Sequence, residues 1–141
     1  LPMSFKHGYQ ALATDENRQV FAPILWRSTQ GWPGQVQQMW FRGSHADIGG
    51  QVGCFSASRP LANISLVWML SRAEDCGLPL PPLWRNRFFR DSDAPSVGTW
   101  QGWSKFFLRR KRRTIGADRS EQVYDLLHKE PAAAASDLVT R

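Results

Sequence analysis

Long apolar runs are missing from this sequence: Arg, Gln, Asn or Asp interrupts every candidate before it reaches the roughly 20 residues a membrane-spanning helix needs. No helical crossing of a bilayer is expected. Cysteine is scarce. Its two copies, Cys54 and Cys76, are not spaced as a metal-type pair and do not make a disulfide framework, which predicts free thiols, buried or partly buried. The first residues, Leu1-Pro2-Met3-Ser4-Phe5-Lys6-His7, lack the basic region, apolar core and small-residue cleavage site of a secretory leader. They also lack an initiator Met, and the expectation is a chain trimmed from a longer one. Internal repeats are absent too.

What is present suits one soluble globular domain: 141 residues, 42% hydrophobic and 21% charged, enough to bury a core. The formal net charge of +6 would favour nucleic acid or an anionic membrane if it covered one face. It does not, because five basic residues fall together in Arg109-Arg110-Lys111-Arg112-Arg113.

Along the chain, Phe5, Tyr9, Leu12 and Ala13 recur near the helical period and predict a short helix within residues 4–21, ending in the polar group Thr14-Asp15-Glu16-Asn17-Arg18. Pro23 makes Phe21–Trp26 an irregular or edge segment. Ser28–Gly34 carries the Gly and Pro of a loop. Gln35-Val36-Gln37-Gln38-Met39-Trp40-Phe41 turns from polar to bulky apolar and predicts a buried strand. Pro60, the steps Leu61, Ile64, Val67 and Leu70, then Gly77 and Pro79 predict a helix of about 15 residues with a left-handed cap. Residues 78 to about 104 read as irregular, proline-stiffened structure packed on the domain. A second short helix is expected over Ser120–His128, before the low-complexity Pro131-Ala132-Ala133-Ala134-Ala135.

Chemistry concentrates in Gly43-Ser44-His45-Ala46-Asp47-Ile48-Gly49-Gly50. A strand that stops at glycine and presents a histidine on a tight loop places imidazole at the carboxyl end of a sheet, where ligands of open α/β sheets bind. Imidazole is the side chain suited to general-base work near neutral pH. The residues alone leave three readings: a catalytic base, a structural hydrogen-bonding residue, or a metal ligand with Asp47. The last lacks a third ligand, since His7 and His128 are distant in sequence.

Three ordered blocks add a resemblance. Met39-Trp40-Phe41-Arg42-Gly43-Ser44-His45-Ala46-Asp47-Ile48-Gly49-Gly50, the helix Leu61-Ala62-Asn63-Ile64-Ser65-Leu66-Val67-Trp68-Met69-Leu70, and the upstream stretch Ala11–Trp26 with its Asp15-Glu16-Asn17-Arg18 resemble the α/β-hydrolase family that includes the phospholipase effectors of bacterial type VI secretion. The resemblance covers roughly residues 5 to 85. It implies a serine hydrolase whose triad runs Ser, then Asp or Glu, then His, with the serine on a Gly-x-Ser-x-Gly turn. This sequence has no such turn, since Cys54-Phe55-Ser56-Ala57-Ser58 precedes Arg59 and lies after the histidine. The acid's expected segment is missing as well. A complete hydrolase sheet with its helices needs on the order of 180 residues.

The expected fold class is therefore α/β: the C-terminal portion of an α/β-hydrolase-like fold, with an incomplete sheet and an irregular C-terminal tail. Residues 1–104 would belong to the catalytic domain and 105–141 to the basic tail. By resemblance, His45 is the catalytic base, inactive here without its serine, and no cofactor or metal is implied. Asp47 supports it by holding the loop or fixing a tautomer. Gly49 and Gly50 serve turn geometry or face the substrate, and Asp15, Glu16 and Arg18 form an ion-pair and capping group or a layer behind the site. The implied substrate is a phospholipid or other lipid ester. Implied partners are the upstream half of the domain, a secretion apparatus and an immunity protein, and the implied setting is bacterial cytoplasm with delivery by type VI secretion.

The run Arg109, Arg110, Lys111, Arg112 and Arg113, joined to Phe106 and Phe107, reads either as a solvated segment or as a surface for anionic lipid headgroups. Nucleic acid is not expected, because no recognition motif accompanies the charge. A stand-alone basic membrane- or polyanion-binding module is the alternative to the enzyme reading.

Overall fold

The strand expected over Gln35–Phe41 forms and takes the middle of the sheet (β2). The computed structural model describes residues 4–28 and 34–125, and within them three strands run in the order β1 (His7–Ala13), β2, β3 (Glu121–Val123), with both pairings parallel. His7 stands opposite Gln35 and Ala13 opposite Phe41. Gln38 to Trp40 stand opposite Glu121 to Val123. Parallel strands with helices make an α/β arrangement, as expected.

Two elements differ from the sequence reading. The helix expected within residues 4–21 is instead β1 over His7–Ala13. Strands of parallel sheets are covered on both faces and lose the clean alternation that marks a strand, and here Tyr9 and Ala11 meet the core while Gly8 and Leu12 are buried. The sparse apolar residues then matched a helical period by coincidence. The helix expected from Ser120 begins as β3, because pairing with β2 overrides its weak local preference: Gln38 N donates to Ser120 O and Tyr124 N to Trp40 O, each at 2.8 Å. Trp40 Nε1 donates to Glu121 Oε2 at 2.8 Å and Gln37 Nε2 to Gln122 Oε1 at 2.9 Å. Residues 126–128 of that expected helix, most of the Ser28–Gly34 loop and the Pro131–Ala135 stretch lie outside the described residues.

After β2 come a short helix α1 (His45–Gly49) and the long helix α2 (Arg59–Asp75). Pro60 sits in the first turn of α2. At its end Gly77 adopts φ 97°, and Gly77 N and Leu78 N donate to Glu74 O and Ala73 O, the paired bonds of a left-handed cap. Leu61, Ile64 and Trp68 of α2 close on Met39 and Phe41 of β2 to form the core with Ala94. Trp40 is buried as well, 1% exposed. Segment 78–99 is irregular apart from a 3-10 turn at Trp84–Arg87. It is tied down by polar bonds: Asn63 Nδ2 to Phe89 O, and Arg42 Nη1 to Ser92 O and Ala94 O.

Gln38, fully buried, is a cross-tie that composition gave no hint of. Its amide accepts from Trp26 N and donates to Trp26 O and Ser120 Oγ, so one side chain fixes the entry of β3 and the segment before β2. Cys54 and Cys76 are free thiols as expected, but both are exposed rather than buried, because each falls on a turn outside the packed faces. Among the described residues no helix is long and apolar enough to cross a membrane.

Trp68 packs α2 against the sheet, meeting Phe41 and Tyr9 edge-on. Trp68→Ala is expected to cost about 3–5 kcal/mol of stability, measured as a shift in the urea denaturation midpoint; a cost below about 1 kcal/mol would place the core elsewhere.

Candidate active site

β1 and β2 end side by side, and their exits are stitched together. Thr14 N donates to Phe41 O at 2.9 Å and Asp15 N to Gly43 O at 3.1 Å, while Gly43 N returns a bond to Asp15 Oδ2 at 2.9 Å. Gly43 has φ +120°, and a Cβ there would stand 2.8 Å from Asp47 Cβ. Only glycine fits that turn. The expected tight loop is in fact Ser44 followed by the one-turn helix α1, whose first residue is His45 and whose end is set by Gly50 at φ 72°.

Asp47 lies on the inner side of α1 with no exposed surface. Its Oδ2 accepts from Ser44 N at 2.7 Å, Ser44 Oγ at 2.8 Å and Ser96 Oγ at 2.5 Å, and its Oδ1 accepts from Val97 N at 2.9 Å. These bonds hold the turn to the distant segment at 96–97. None of these four bonds goes to the imidazole ring.

Glu16 is the second buried carboxylate. Arg18 grips it through Nε to Oε1 at 2.8 Å and Nη2 to Oε2, and Arg18 N donates to Oε1 at 2.9 Å. Arg18 Nη1 continues to Ser104 Oγ at 2.6 Å. Burial alone raises the Glu16 pKa, but the Arg18 bonds and the His45 N–H, 3.1 Å from Oε2, bring it below the ordinary carboxylate value. Asp15, Glu16 and Arg18 thus form the expected ion-pair and capping group, and Glu16 touches the histidine's own backbone.

The His45 ring is exposed on the outer side of α1. It stacks on Phe21, with centroids 4.7 Å apart and planes 19° apart. Phe21 is held by the Arg18 guanidinium 4.4 Å from its centroid and by Phe107 edge-on. Phe21, Ser96, Val97 and Phe107 are site neighbours that sequence reading did not place. Phe21 lies within the Ala11–Trp26 block that carries the resemblance, whereas Ser96 and Val97 lie about fifty residues from the carboxylate they bind.

A cleft of about 580 Å³ opens beside His45, bounded by Tyr9 to Ala13 of β1, Glu16, Phe21, Ile48, Gly49 and Arg113. Successive residues of a strand point to opposite faces, so a cleft touching all of Tyr9 to Ala13 runs along the edge of β1 that is unpaired among the described residues. Gly49 has open space where a side chain would stand. Among the described residues no group of three His, Cys, Asp or Glu side chains is placed to hold a metal ion.

The basic run divides. Arg109, Lys111 and Arg112 are exposed. Arg110 turns inward, with Nη1 donating to Asn17 Oδ1 at 2.6 Å and Thr99 Oγ1 at 2.9 Å and its guanidinium 3.5 Å from the Trp100 centroid. Arg113 Nη2 donates to Arg18 O at 2.8 Å. Lys111 N to Asn17 O and Gln19 N to Arg109 O add backbone ties, so the run lies along the Asn17–Gln19 segment.

The family model of the type VI secretion system phospholipase effector, Tle1-like, catalytic domain matches residues 1–72. The chain belongs to this family. Comparison with curated proteins and with solved structures finds no match. The Tle1-like match spans β1, β2, α1 and most of α2, so His45, Asp47, Glu16 and the glycines around them all lie inside it.

Glu16 has a lowered folded-state pKa, so its contribution is full above the unfolded carboxylate value and is lost as pH falls through the folded one. Asp118, which accepts from the N–H and Oγ of both Ser28 and Ser120, is lowered in the same sense. Unfolding free energy is therefore expected to fall steadily below about pH 4. At neutral pH Glu16→Gln should cost about 3 kcal/mol by leaving Arg18 buried and unpaired. Denaturant titrations of both proteins from pH 7 to pH 3 check this, and the gap between them should narrow toward acid.

Proposed function

We propose that this chain is the histidine-bearing part of a serine α/β-hydrolase that cleaves lipid esters, phospholipids foremost, with His45 as the catalytic base. The observation that carries the reading is the placement of His45: it follows directly on a parallel strand, at the carboxyl end of the sheet, on a turn locked by Asp47 and Glu16, with its ring facing a cleft. The family's printed name, a phospholipase effector catalytic domain, supports the substrate class. In this reading His45 takes the proton of a serine hydroxyl as that oxygen attacks the ester carbonyl, and then delivers it to the departing alcohol. Phe21 fixes the ring plane by stacking, and Glu16 fixes the backbone from which the ring projects.

The serine and the acid that orients the imidazole come from a segment outside these residues. Support for this comes from β1, which among the described residues pairs with β2 alone. A parallel sheet is ordinarily covered on both faces and extended from strand to strand, and the His45 cleft follows the edge at which a further strand of the same domain would pair. The reading makes the sheet an incomplete hydrolase sheet and the upstream half of the domain its first partner. Delivery by type VI secretion is supported by the family name in the same way, and an immunity protein is the further partner we propose for such an effector.

A second reading concerns the exposed part of the basic run. Phe106 and Leu108 are 72% and 76% exposed beside Arg109, Lys111 and Arg112, an arrangement suited to peripheral contact with an anionic membrane. Each of these basic residues would contribute on the order of 1 kcal/mol near such a surface.

In the full natural polypeptide that carries these residues, His45→Ala is expected to lower the hydrolysis of phospholipid and of short acyl esters by about 10³-fold or more. Unchanged hydrolysis would remove His45 from the mechanism. For the surface contact, co-sedimentation with phosphatidylserine-containing vesicles should drop when Arg109, Lys111 and Arg112 are replaced by Gln, and equal sedimentation before and after would reject it.

A further inference from the structure

The helix that carries His45 has five residues, too few to keep its shape and direction by its own hydrogen bonds. Its orientation is set by bonds from outside it. Glu16 Oε2 accepts from His45 N at 3.1 Å, and Ser65 Oγ of α2 shares its proton between Ile48 O and Ala62 O, each at 3.1 Å. A further tie runs from Asp47 to Ser96 and Val97. Glu16 and Ser65 lie within the residues matched to the Tle1-like family, 1–72, whereas Ser96 and Val97 lie beyond them.

The Ser96 end of that tie is itself fixed. Upstream of it, Arg42 Nη1 donates to Ser92 O at 2.7 Å and to Ala94 O at 2.9 Å, and Ala94 is buried in the core with Phe41 and Leu61. Downstream, Gly98 N donates to Ser96 Oγ at 3.0 Å. A hydroxyl has one proton to give, and that of Ser96 goes to Asp47 Oδ2 at 2.5 Å. Residues 92–98 thus brace the exit of β2 and reach the buried carboxylate two residues after the histidine. On its other side Asp47 is packed directly on the Gly43 backbone, where a Cβ would stand 2.8 Å from Asp47 Cβ.

We propose that Ser96 is a positioning residue for the hydrolysis: through Asp47 it fixes the direction of α1, and with it the place of the His45 imidazole relative to the ester. The inference rests on the reading of His45 as the catalytic base. Without the Ser96 hydroxyl, a carboxylate with no exposed surface is one donor short. Asp47 then relaxes toward Ser44 and Val97, α1 turns with it, and the imidazole leaves its place. Misplacing a reacting group by about 1 Å costs up to about 100-fold in rate. The cost falls on the chemical step rather than on binding, since Ser96 does not line the His45 cleft.

The test uses the full natural polypeptide with a phospholipid and a short acyl ester, at a temperature where circular dichroism shows each variant folded. For Ser96→Ala, kcat should fall about 10- to 100-fold on both substrates while KM changes less than about twofold, and Ser96→Thr, which keeps the hydroxyl, should recover part of the loss. Because Ser96 acts through Asp47, Ser96→Ala combined with Asp47→Asn should lose no more than Asp47→Asn alone. The inference is overturned if Ser96→Ala leaves kcat unchanged, if its effect is on KM, if Ser96→Thr is as slow as Ser96→Ala, or if the two losses multiply. Should Ser96→Ala not fold, Ser96→Cys, which puts a weak donor in the same place, is read by the same outcomes. His45→Ala separates the two levels. Full hydrolysis in that variant ends the reading of the site as a hydrolase, whereas its loss together with a normal kcat in Ser96→Ala ends the role of Ser96 alone.

Discussion

The buried carboxylate of Asp47 is the constraint on which the site depends. A polar group with no exposed surface has to be met by donors from the protein itself, and four meet this one: the N–H and hydroxyl of Ser44, the hydroxyl of Ser96 and the N–H of Val97. The first two close the turn that begins α1. The other two bring in a segment about fifty residues downstream. Because Gly43 has no Cβ to collide with Asp47, the chain can leave β2 and enter α1 in a single step, and that step decides where the ring of His45 points.

Glu16 acts on the same turn from the other side. It joins β1's exit to the first residue of α1 through His45 N, and it recruits Arg18, whose guanidinium reaches Phe21 and Ser104. The imidazole therefore rests on an aromatic ring that is itself held by a cation. Two buried carboxylates thus divide the work, with Asp47 setting the turn and Glu16 setting the surface beside it. Among the described residues no hydrogen bond joins either carboxylate to the imidazole ring, which is why the proposed mechanism assigns that task to an acid outside these residues.

Legibility in the sequence followed how local each feature was. β2 and α2 were readable because their signals, a bulky apolar run and a three-residue apolar step between Pro60 and Gly77, lie within the elements themselves. β1 was misread as a helix because Gly8, Gln10, Ala11 and Ala13 give a parallel strand too few large residues to show a period of two. β3 was misread because what makes Glu121–Val123 a strand is its pairing with Gln38–Trp40, some eighty residues earlier. The same distance hid the bonds from Ser96 and Val97 to Asp47. The grouping of Asp15, Glu16 and Arg18 behind the histidine was legible, because the three are close in sequence and of opposite charge.

Charge gives the clearest case of one sequence feature resolving into different physical roles. Five consecutive basic residues look alike as a string, yet a segment paired to Asn17–Gln19 cannot send all of its side chains the same way. Arg110 goes inward to Asn17, Thr99 and the Trp100 ring, where planar stacking and several N–H donors favour arginine over lysine. Arg109, Lys111 and Arg112 remain in solvent, where their charge is screened within about 10 Å. Arg113 reaches the cleft, close to low-dielectric walls, where an unmatched charge acts over its surroundings more strongly than it would in water. Composition alone would spread +6 over a surface; the fold turns Arg110 inward and brings Arg113 to the cleft beside His45.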